Sequence, residues 1–166
     1  MNWYLISPEK QYFCSGEYEF GDREFGCWME TGHGKLNLSY TNAKNTFNDF
    51  VLDGKNLNGL SLPGIPNQIL DIELIFNLSN KSNLLINNRL IGKLYADNLN
   101  ETEVSSYNLF NITYSTKIFN NSEIYLGVNN LFDVNYFDNI RINAFGKRYY
   151  EPAPKRNFHF GLNFSL

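Results

Sequence analysis

The sequence has little charge, few cysteines and no long apolar run. Its 166 residues include 14 Lys plus Arg and 17 Asp plus Glu, so charged residues make up only 19% of the chain. This near balance lacks the broad positive field with which nucleic-acid-binding proteins track phosphates, so no nucleic-acid partner is expected. No segment approaches the roughly 18 consecutive apolar residues of a membrane-spanning helix. A membrane β-barrel remains open, because its strands are apolar only at every second position.

Residues that could carry chemistry are sparse. Cys14 and Cys27 have no histidine near them in sequence, and His33 and His159 stand alone, so no metal site is predicted. A disulfide between the two cysteines is left open. There is no nucleophile elbow, phosphate-cradling glycine loop or Cys-His pair at a useful spacing, so neither an enzyme nor a cofactor is predicted. The amino terminus has no basic residue before its short apolar run, which Pro8 ends, so it is not expected to be a signal peptide.

Aromatic residues, 16% of the chain, and period-2 alternation are abundant. In residues 70–78 every even position is apolar and every odd one except Ile75 is polar, and residues 157–166 repeat the pattern. Such alternation predicts strands with one apolar and one polar face. The expected fold is all-β, an antiparallel meander of seven strands at about 17–30, 35–47, 70–78, 82–95, 105–118, 122–137 and 157–166. The first 16 residues are a candidate eighth strand.

The connections alternate between short and long. Thr31 to Gly34, Asn80 to Ser82 and Asn120 to Ser122 are typical of tight turns, whereas 48–65, 96–104 and 138–154 are long. Short turns at one end and long loops at the other favour part of a transmembrane β-barrel. A soluble β-sandwich shows the same alternation and is the alternative on pattern alone. Strands of roughly 10 to 14 residues favour the barrel, because a tilted membrane-spanning strand needs about 9 to 11.

Residues 127–166 carry a more specific pattern. A strand ends in Asn-Asn-Leu-Phe-Asp with a tyrosine soon after, and a long loop then leads through proline and Arg-Asn into the last strand. This order resembles the closing segment of TonB-dependent outer-membrane receptors, of the siderophore-receptor type. The turn at 62–66 and the stretch 95–98 also look like this family. The matching residues are Asn129, Asn130, Leu131, Phe132, Asp133, Tyr136, Pro152, Pro154, Arg156 and Asn157.

The resemblance implies a barrel of about 22 strands with an amino-terminal plug that engages TonB, and neither plug nor TonB segment is in this sequence. It divides the chain into a poorly matching start, residues 1–30, and the carboxyl-terminal barrel strands, residues 31–166. The expectation is a fragment of an outer-membrane receptor of a Gram-negative bacterium for active uptake of a scarce nutrient, above all a ferric siderophore. Outer-membrane lipid and the barrel-assembly machinery are the expected partners, TonB acts only through the missing plug, and the ligand is a metal chelate.

Candidate ligand-binding residues lie in the last long loop: Arg141, Arg148, Tyr149 and Tyr150 could bind an anionic, ring-bearing ligand by charge and stacking. A simpler interpretation makes the cations solvated and the tyrosines part of an interfacial aromatic girdle. Asp71 and Glu73 are interpreted as polar residues that face a barrel lumen, with their apolar neighbours towards lipid.

The last strand has a second predicted role. Phe164 and Leu166 resemble the terminal signal that the barrel-assembly machinery recognises in this family. Two alternatives to the receptor fragment stay open: a small self-closed outer-membrane barrel with a structural or adhesive role, and a secreted soluble β-sandwich that binds sugars.

Overall fold

The computed structural model describes residues 3–7, 10–19, 22–119, 121–147 and 149–164. Within these ranges the chain is all-β apart from one turn of 3₁₀ helix at Phe145–Lys147. None of the helical structure in the described residues is long and apolar enough to cross a membrane. The strands are β1 (Trp3–Ser7), β2 (Lys10–Glu19), β3 (Asp22–Thr31), β4 (Gly34–Asn42), β5 (Val51–Leu52), β6 (Lys55–Asn56), β7 (Gln68–Asn77), β8 (Ser82–Ile91), β9 (Leu94–Tyr95), β10 (Glu103–Val104), β11 (Tyr107–Phe119), β12 (Ser122–Asn129), β13 (Phe137–Ile140), β14 (Tyr150–Pro152) and β15 (Asn157–Phe164).

Nine of these strands form one large sheet in the order β1-β2-β3-β4-β7-β8-β11-β12-β15, and every neighbouring pair is antiparallel. Eight of them have 8 to 13 residues, which confirms the predicted meander of long strands. The other six strands form three two-stranded ladders within the connections. Among the described residues, β1 and β15 each have only one neighbour, so the sheet is open.

Four predicted strands had wrong boundaries. β4 ends at Asn42 where residue 47 was expected, and β8 ends at Ile91 where residue 95 was expected. Residues 17–30 were expected to form a single strand, but β2 ends at Glu19 and β3 begins at Asp22. The acidic and basic residues at 22–24, which interrupt the alternation, are the first residues of a new strand and not a break in an old one. Residues 122–137 were also expected to be continuous, but β12 ends at Asn129, because the next residue has a left-handed backbone with φ of 53°.

The register places the apolar side chains of successive strands on one side of the sheet. Leu74, for example, is paired with Leu36 on one side and Ile86 on the other. This surface is called the apolar face. From β4 onward it comprises Leu36, Leu38, Tyr40, Leu70, Ile72, Leu74, Phe76, Leu84, Ile86, Leu90, Phe110, Ile112, Tyr114, Ile124, Leu126, Val128, Phe158, Phe160, Leu162 and Phe164. Asn88 and Asn108 interrupt it, and the side-chain N–H of Asn88 donates to the side-chain oxygen of Asn108, so the two polar residues are partners.

The opposite surface, the polar face, carries the predicted lumen-facing carboxylates. Arg89 Nε lies 3.5 Å from Asp71 Oδ1, and Asn37 Nδ2 donates to Glu73 Oε1 at 2.7 Å. Each carboxylate therefore has a partner on a neighbouring strand. A wide depression of about 510 Å³ covers this part of the sheet.

The sheet has almost no buried core of its own. Of the five buried apolar residues in the described parts, only Ile91 lies in the sheet, and Leu57, Ala96, Val104 and Tyr149 lie in the connections. Side chains of the apolar face are open to their surroundings, up to 76% for Phe158. No second sheet covers this face within the described residues, so they do not form a sandwich.

Cys14 and Cys27 lie opposite each other on β2 and β3 and form a disulfide. The register of these two strands is therefore fixed covalently as well as by backbone hydrogen bonds. The bond that the sequence left open is present.

Gly34, the first residue of β4, is expected to tolerate no side chain. A Cβ atom there would collide with the backbone carbonyl of Ile75, whereas a Cβ atom at Gly32 in the same turn would have nothing within 4 Å. Gly34→Ala should lower the free energy of unfolding by about 1 to 3 kcal/mol through overpacking against backbone that cannot rotate away. Gly32→Ala should change the free energy of unfolding by less than about 0.5 kcal/mol. Urea titration of both variants in one detergent measures the two changes. Equal effects would contradict the close approach of β4 to β7.

Candidate functional site

Three long connections lie at one end of the sheet. They are called the long loops and comprise residues 43–67 between β4 and β7, 92–106 between β8 and β11, and 130–156 between β12 and β15. Because neighbouring strands are antiparallel, the short connections after β3, β7 and β11 lie at the opposite end. This arrangement confirms the predicted alternation of tight turns and long loops.

The long loops pack against each other around a small apolar core. Ala96, Val104 and Tyr149 are buried at 0%, 5% and 9% exposure. Leu94, Phe137, Ile140 and Ala144 pack around them. Loops 92–106 and 130–156 therefore fold as one unit above the sheet and not as independent tails.

Asparagine side chains join the loops to each other. Asn100 Nδ2 donates to the Ser61 carbonyl at 2.8 Å, and Ser61 N donates back to Asn100 Oδ1 at 2.7 Å. Asn98 and Asn143 form a similar reciprocal pair, at 2.9 and 3.0 Å. Asn100 and Asn143 have φ of 56° and 53°, a left-handed conformation that asparagine tolerates better than most residues. These two hydrogen-bonded pairs hold all three long loops in one arrangement.

Asp97 organises the middle loop from within. Its carboxylate accepts backbone N–H bonds from Leu99 at 3.0 Å, Glu101 at 3.0 Å and Thr102 at 2.8 Å. Partial burial raises the pKa of Asp97, but hydrogen bonds from Thr102, Glu101 and Leu99 outweigh it and hold the pKa below its usual value.

The loops are expected to loosen in acid through Asp97. Because its pKa is lowered in the folded state, its contribution to stability is complete above the unfolded value of about 3.9 and is lost as the pH falls through the folded value. Hydrogen exchange in residues 92–106, corrected for intrinsic rates, should therefore increase below about pH 4. Asp97→Asn should show the increase already at neutral pH, whereas Asp53→Asn, an exposed aspartate in the β5–β6 turn, should not. An unchanged profile in Asp97→Asn would contradict this role.

Asn130 is the most buried polar residue of the matching segment, at 3% exposure. Its Oδ1 accepts from Val134 N and its Nδ2 donates to Val134 O, both at 2.8 Å. Its own backbone N–H donates to Asn111 Oδ1 at 2.8 Å. With φ of 53°, Asn130 ends β12 and begins the turn into the last long loop.

The other residues of that segment converge on the same turn. Arg156 N donates to Asp133 Oδ1 at 2.9 Å, and Arg156 Nη1 donates to the Leu131 carbonyl at 3.3 Å. Asn129 Nδ2 donates to Asn157 Oδ1 at 2.9 Å. Phe132 contacts the ring of Phe110 and Tyr136 that of Tyr107, each with 5.1 Å between ring centroids. Pro152 ends β14 opposite Phe137, and Pro154 is exposed in the loop. The segment thus ties the beginning of the last loop to its end.

The predicted ligand residues have different environments. Tyr149 is buried in the loop core, and Tyr150 is 39% exposed and stacks on Phe137 with 4.4 Å between ring centroids. Arg141 Nε donates to Glu151 Oε1 at 2.7 Å, although 65% of its side chain is exposed, and this hydrogen bond from Arg141 lowers the pKa of Glu151. Arg148 lies outside the described residues. Arg141 and Tyr150 are therefore the members of the set that the structure presents at the surface.

A cavity of about 340 Å³ lies among the loops. Of the predicted ligand residues that the structure describes, Tyr149 alone lines it, together with Leu52, Asp97, Asn98, Leu99, Glu101 and Asn143. This lining is acidic and amide-rich, so it offers hydrogen-bond acceptors more than positive charge. Sequence reasoning missed these residues, because Asn and Asp in a loop indicate turns and nothing in their spacing shows that they meet. The described residues contain no cluster of three metal-ligating side chains.

The predicted terminal signal is only partly described. Phe164 ends β15 opposite Ser122, on the apolar face, and is 65% exposed. Leu166 lies outside the described residues.

Comparison with protein-family models gives no match. Solved structures with a similar fold include the siderophore receptor PiuA from Acinetobacter baumannii, with a TM-score of 0.71 and 19% identity over 98% of this chain and 27% of that one. The ferric-catecholate import receptor Fiu from E. coli, in its closed form, has a TM-score of 0.69 and 18% identity over 98% and 26%. The copper transporter OprC has a TM-score of 0.64 and 18% identity over 99% and 30%. The fold is that of part of a TonB-dependent receptor barrel.

The chain spans less than a third of these three structures. In a TonB-dependent receptor barrel, an open sheet of this kind is one sector of the wall. The apolar and polar faces then correspond to the outer and inner surfaces of the wall. The sequence prediction of such a barrel portion is confirmed at the level of fold.

Proposed function

We propose that this chain forms a carboxyl-terminal wall sector of an outer-membrane receptor that takes up a scarce metal chelate, above all a ferric siderophore. The observation that supports this most directly is the exposed apolar face, which spans strands of 8 to 13 residues and which no other described part of the chain covers. Such a face is stable against lipid. The likeness in fold to siderophore receptors and a copper transporter supports the same class of cargo.

The long loops would form part of the ligand surface at the outer mouth. Arg141 offers a guanidinium and Tyr150 a partly exposed ring, which together suit an anionic chelate with aromatic groups. Tyr149 would act by shaping the loop core, since it is buried. Arg148 completes the proposed set from the sequence.

The proposed partners follow from the same placement. Outer-membrane lipid covers the apolar face, the barrel-assembly machinery recognises the last strand through Phe164 and Leu166, and TonB acts through a plug domain that other parts of a complete receptor supply. Transport then belongs to the complete barrel, and this sector contributes wall and loops. We propose no enzymatic activity and no cofactor.

Orientation in the membrane provides the test. The chain is produced with an outer-membrane export signal in two variants, Lys55→Cys in a long loop and Lys81→Cys in a tight turn, both exposed lysines. A membrane-impermeant maleimide should label Lys55→Cys in intact cells and Lys81→Cys only after the outer membrane is permeabilised. The native cysteines do not react because they are paired. Equal labelling of both variants in intact cells, or recovery of the chain in the soluble fraction, would overturn the proposal.

Ligand class is tested separately on chain refolded into lipid nanodiscs. Calorimetry with ferric catecholate and ferric hydroxamate chelates should detect binding of at least one class. Arg141→Ala should weaken that binding roughly 10- to 150-fold, since a charge-assisted contact contributes about 1.5 to 3 kcal/mol and about 1.4 kcal/mol corresponds to a factor of ten. The matched control is Lys81→Ala, an exposed cation in the tight turn after β7, at the opposite end of the sheet from the long loops. Absence of binding by an inserted chain would reject the ligand role while leaving the wall role intact.

A further inference from the structure

The disulfide between Cys14 and Cys27 lies on the apolar face, halfway along its strands. Cys27 is the sixth of the ten residues of β3, and its partner on the other side, Leu38, is the middle residue of β4. The same row continues through Ile72 on β7. The two sulfur atoms are therefore level with the centre of the sheet and not near either end.

The surroundings of the disulfide are apolar. On β3 the residues on either side of Cys27 on the same face are Phe25 and Met29. On β4, Leu36 and Tyr40 flank Leu38 and are paired with Met29 and Phe25. Phe25 is 44% exposed, so this face is open and not covered by protein. If the sheet is a barrel wall, as proposed above, the disulfide faces the hydrocarbon centre of the bilayer.

Thiol–disulfide exchange requires a thiolate, which attacks a sulfur atom in line. A thiolate is strongly disfavoured in hydrocarbon, and hydrophilic oxidants and reductants do not enter it. We propose that the Cys14–Cys27 disulfide is made in water before this hairpin enters the membrane, and that insertion then seals it.

The step is balanced by a disulfide oxidant, either a small molecule or a protein, which is reduced to two thiols. The thiolate of one cysteine attacks the oxidant disulfide, forms a mixed disulfide and releases one oxidant thiol. The second cysteine then attacks the mixed disulfide at the first cysteine's sulfur and releases the other oxidant thiol. The chain loses two electrons and two protons, and the oxidant gains them. This reaction joins residues separated by 13 positions and fixes the β2–β3 register before the strands meet lipid.

The experiment compares reduced and oxidised chain, each refolded from urea into phosphatidylcholine vesicles, with insertion measured by protease protection. Inserted reduced chain is treated with oxidised glutathione and inserted oxidised chain with a hydrophilic phosphine, and the thiol state is followed by gel shift after alkylation. Both reactions should be at least about 100-fold slower than in urea. This factor corresponds to an activation free energy higher by about 2.8 kcal/mol, at about 1.4 kcal/mol per factor of ten. Rates within tenfold of those in urea would overturn the inference.

Two further variants separate this result from the proposed function. In a Cys14→Ser, Cys27→Ser background, Leu38→Cys places a thiol on the apolar face and Ser39→Cys places one on the polar face next to it. A charged disulfide reagent should react with Ser39→Cys and spare Leu38→Cys. If both react equally, the apolar face does not contact lipid and the proposed function fails. If Leu38→Cys is spared while the native pair still exchanges rapidly, only the sealing of the disulfide is rejected.

Discussion

Replacing Ile86 with lysine is expected to lower the free energy of unfolding in bilayers by about 2 to 4 kcal/mol. Ile86 lies on the apolar face in the middle of β8, between Leu74 and Ile112. If this face contacts lipid, the substitution places an ammonium group near the membrane centre, where its solvation is poorest. A urea titration of chain folded in vesicles, followed by tyrosine and tryptophan fluorescence, measures the change.

Leu85→Lys is the matched control. Leu85 precedes Ile86 and is paired with Ile75 and Thr113 on the polar face, so its ammonium group points into the proposed lumen. We expect a loss of less than about 1 kcal/mol, because a wet lumen solvates the charge. A larger loss for Leu85→Lys than for Ile86→Lys would reverse the assignment of the two faces.

The second large effect is expected at Asn130. In Asn130→Ala, the N–H and the carbonyl of Val134 lose their partners in a nearly inaccessible site, and alanine must adopt a positive φ that it disfavours. The two losses together should cost about 2 to 4 kcal/mol. The same unfolding titration measures the loss, and hydrogen exchange of Val134 should increase with it.

Asn135→Ala provides the comparison for this site, since Asn135 is the same residue type five positions along and is exposed. Its loss should remain below about 0.5 kcal/mol. If Asn130→Ala is equally mild, the turn after β12 is held by its packing, through Phe132 on Phe110, and not by the buried amide.

Period-2 alternation predicted most of the sheet, because register and face are determined by the same repeat. The placement of Leu70 to Phe76 on alternating faces follows from that repeat, whereas their register with β4 and β8 also depends on the tight turns that join these strands. The prediction from alternation failed where the backbone conformation ends a strand although the alternation of polar and apolar residues goes on. Asn130 is such a place: the alternation resumes at residues 132–136 as if the strand continued, but the left-handed φ of Asn130 ends β12. At residues 22–24 the polarity pattern misled in the other direction. The charged residues there interrupt the alternation, yet they are the first residues of β3.

The candidate site was less predictable than the sheet. The contacts that shape it join residues 39 and 45 positions apart, such as Ser61 with Asn100 and Asn98 with Asn143. No repeat in the sequence encodes such pairs. Sequence reasoning chose Arg141 and Tyr150 by their chemistry, and the structure places both at the surface. It also chose Tyr149, whose ring is buried for reasons of packing that one sequence does not reveal.

The antiparallel order of the large sheet has a directional consequence. Nine strands alternate in direction from β1 to β15, so the first and the last of them run the same way. Joining these two edges directly would create one parallel seam in an otherwise antiparallel wall. An all-antiparallel cylinder that contains this sheet must add an odd number of strands between the two edges, and its total is then even, as in bacterial outer-membrane barrels. The directions of the strands thus require at least one strand beyond these nine for a cylinder without a parallel seam.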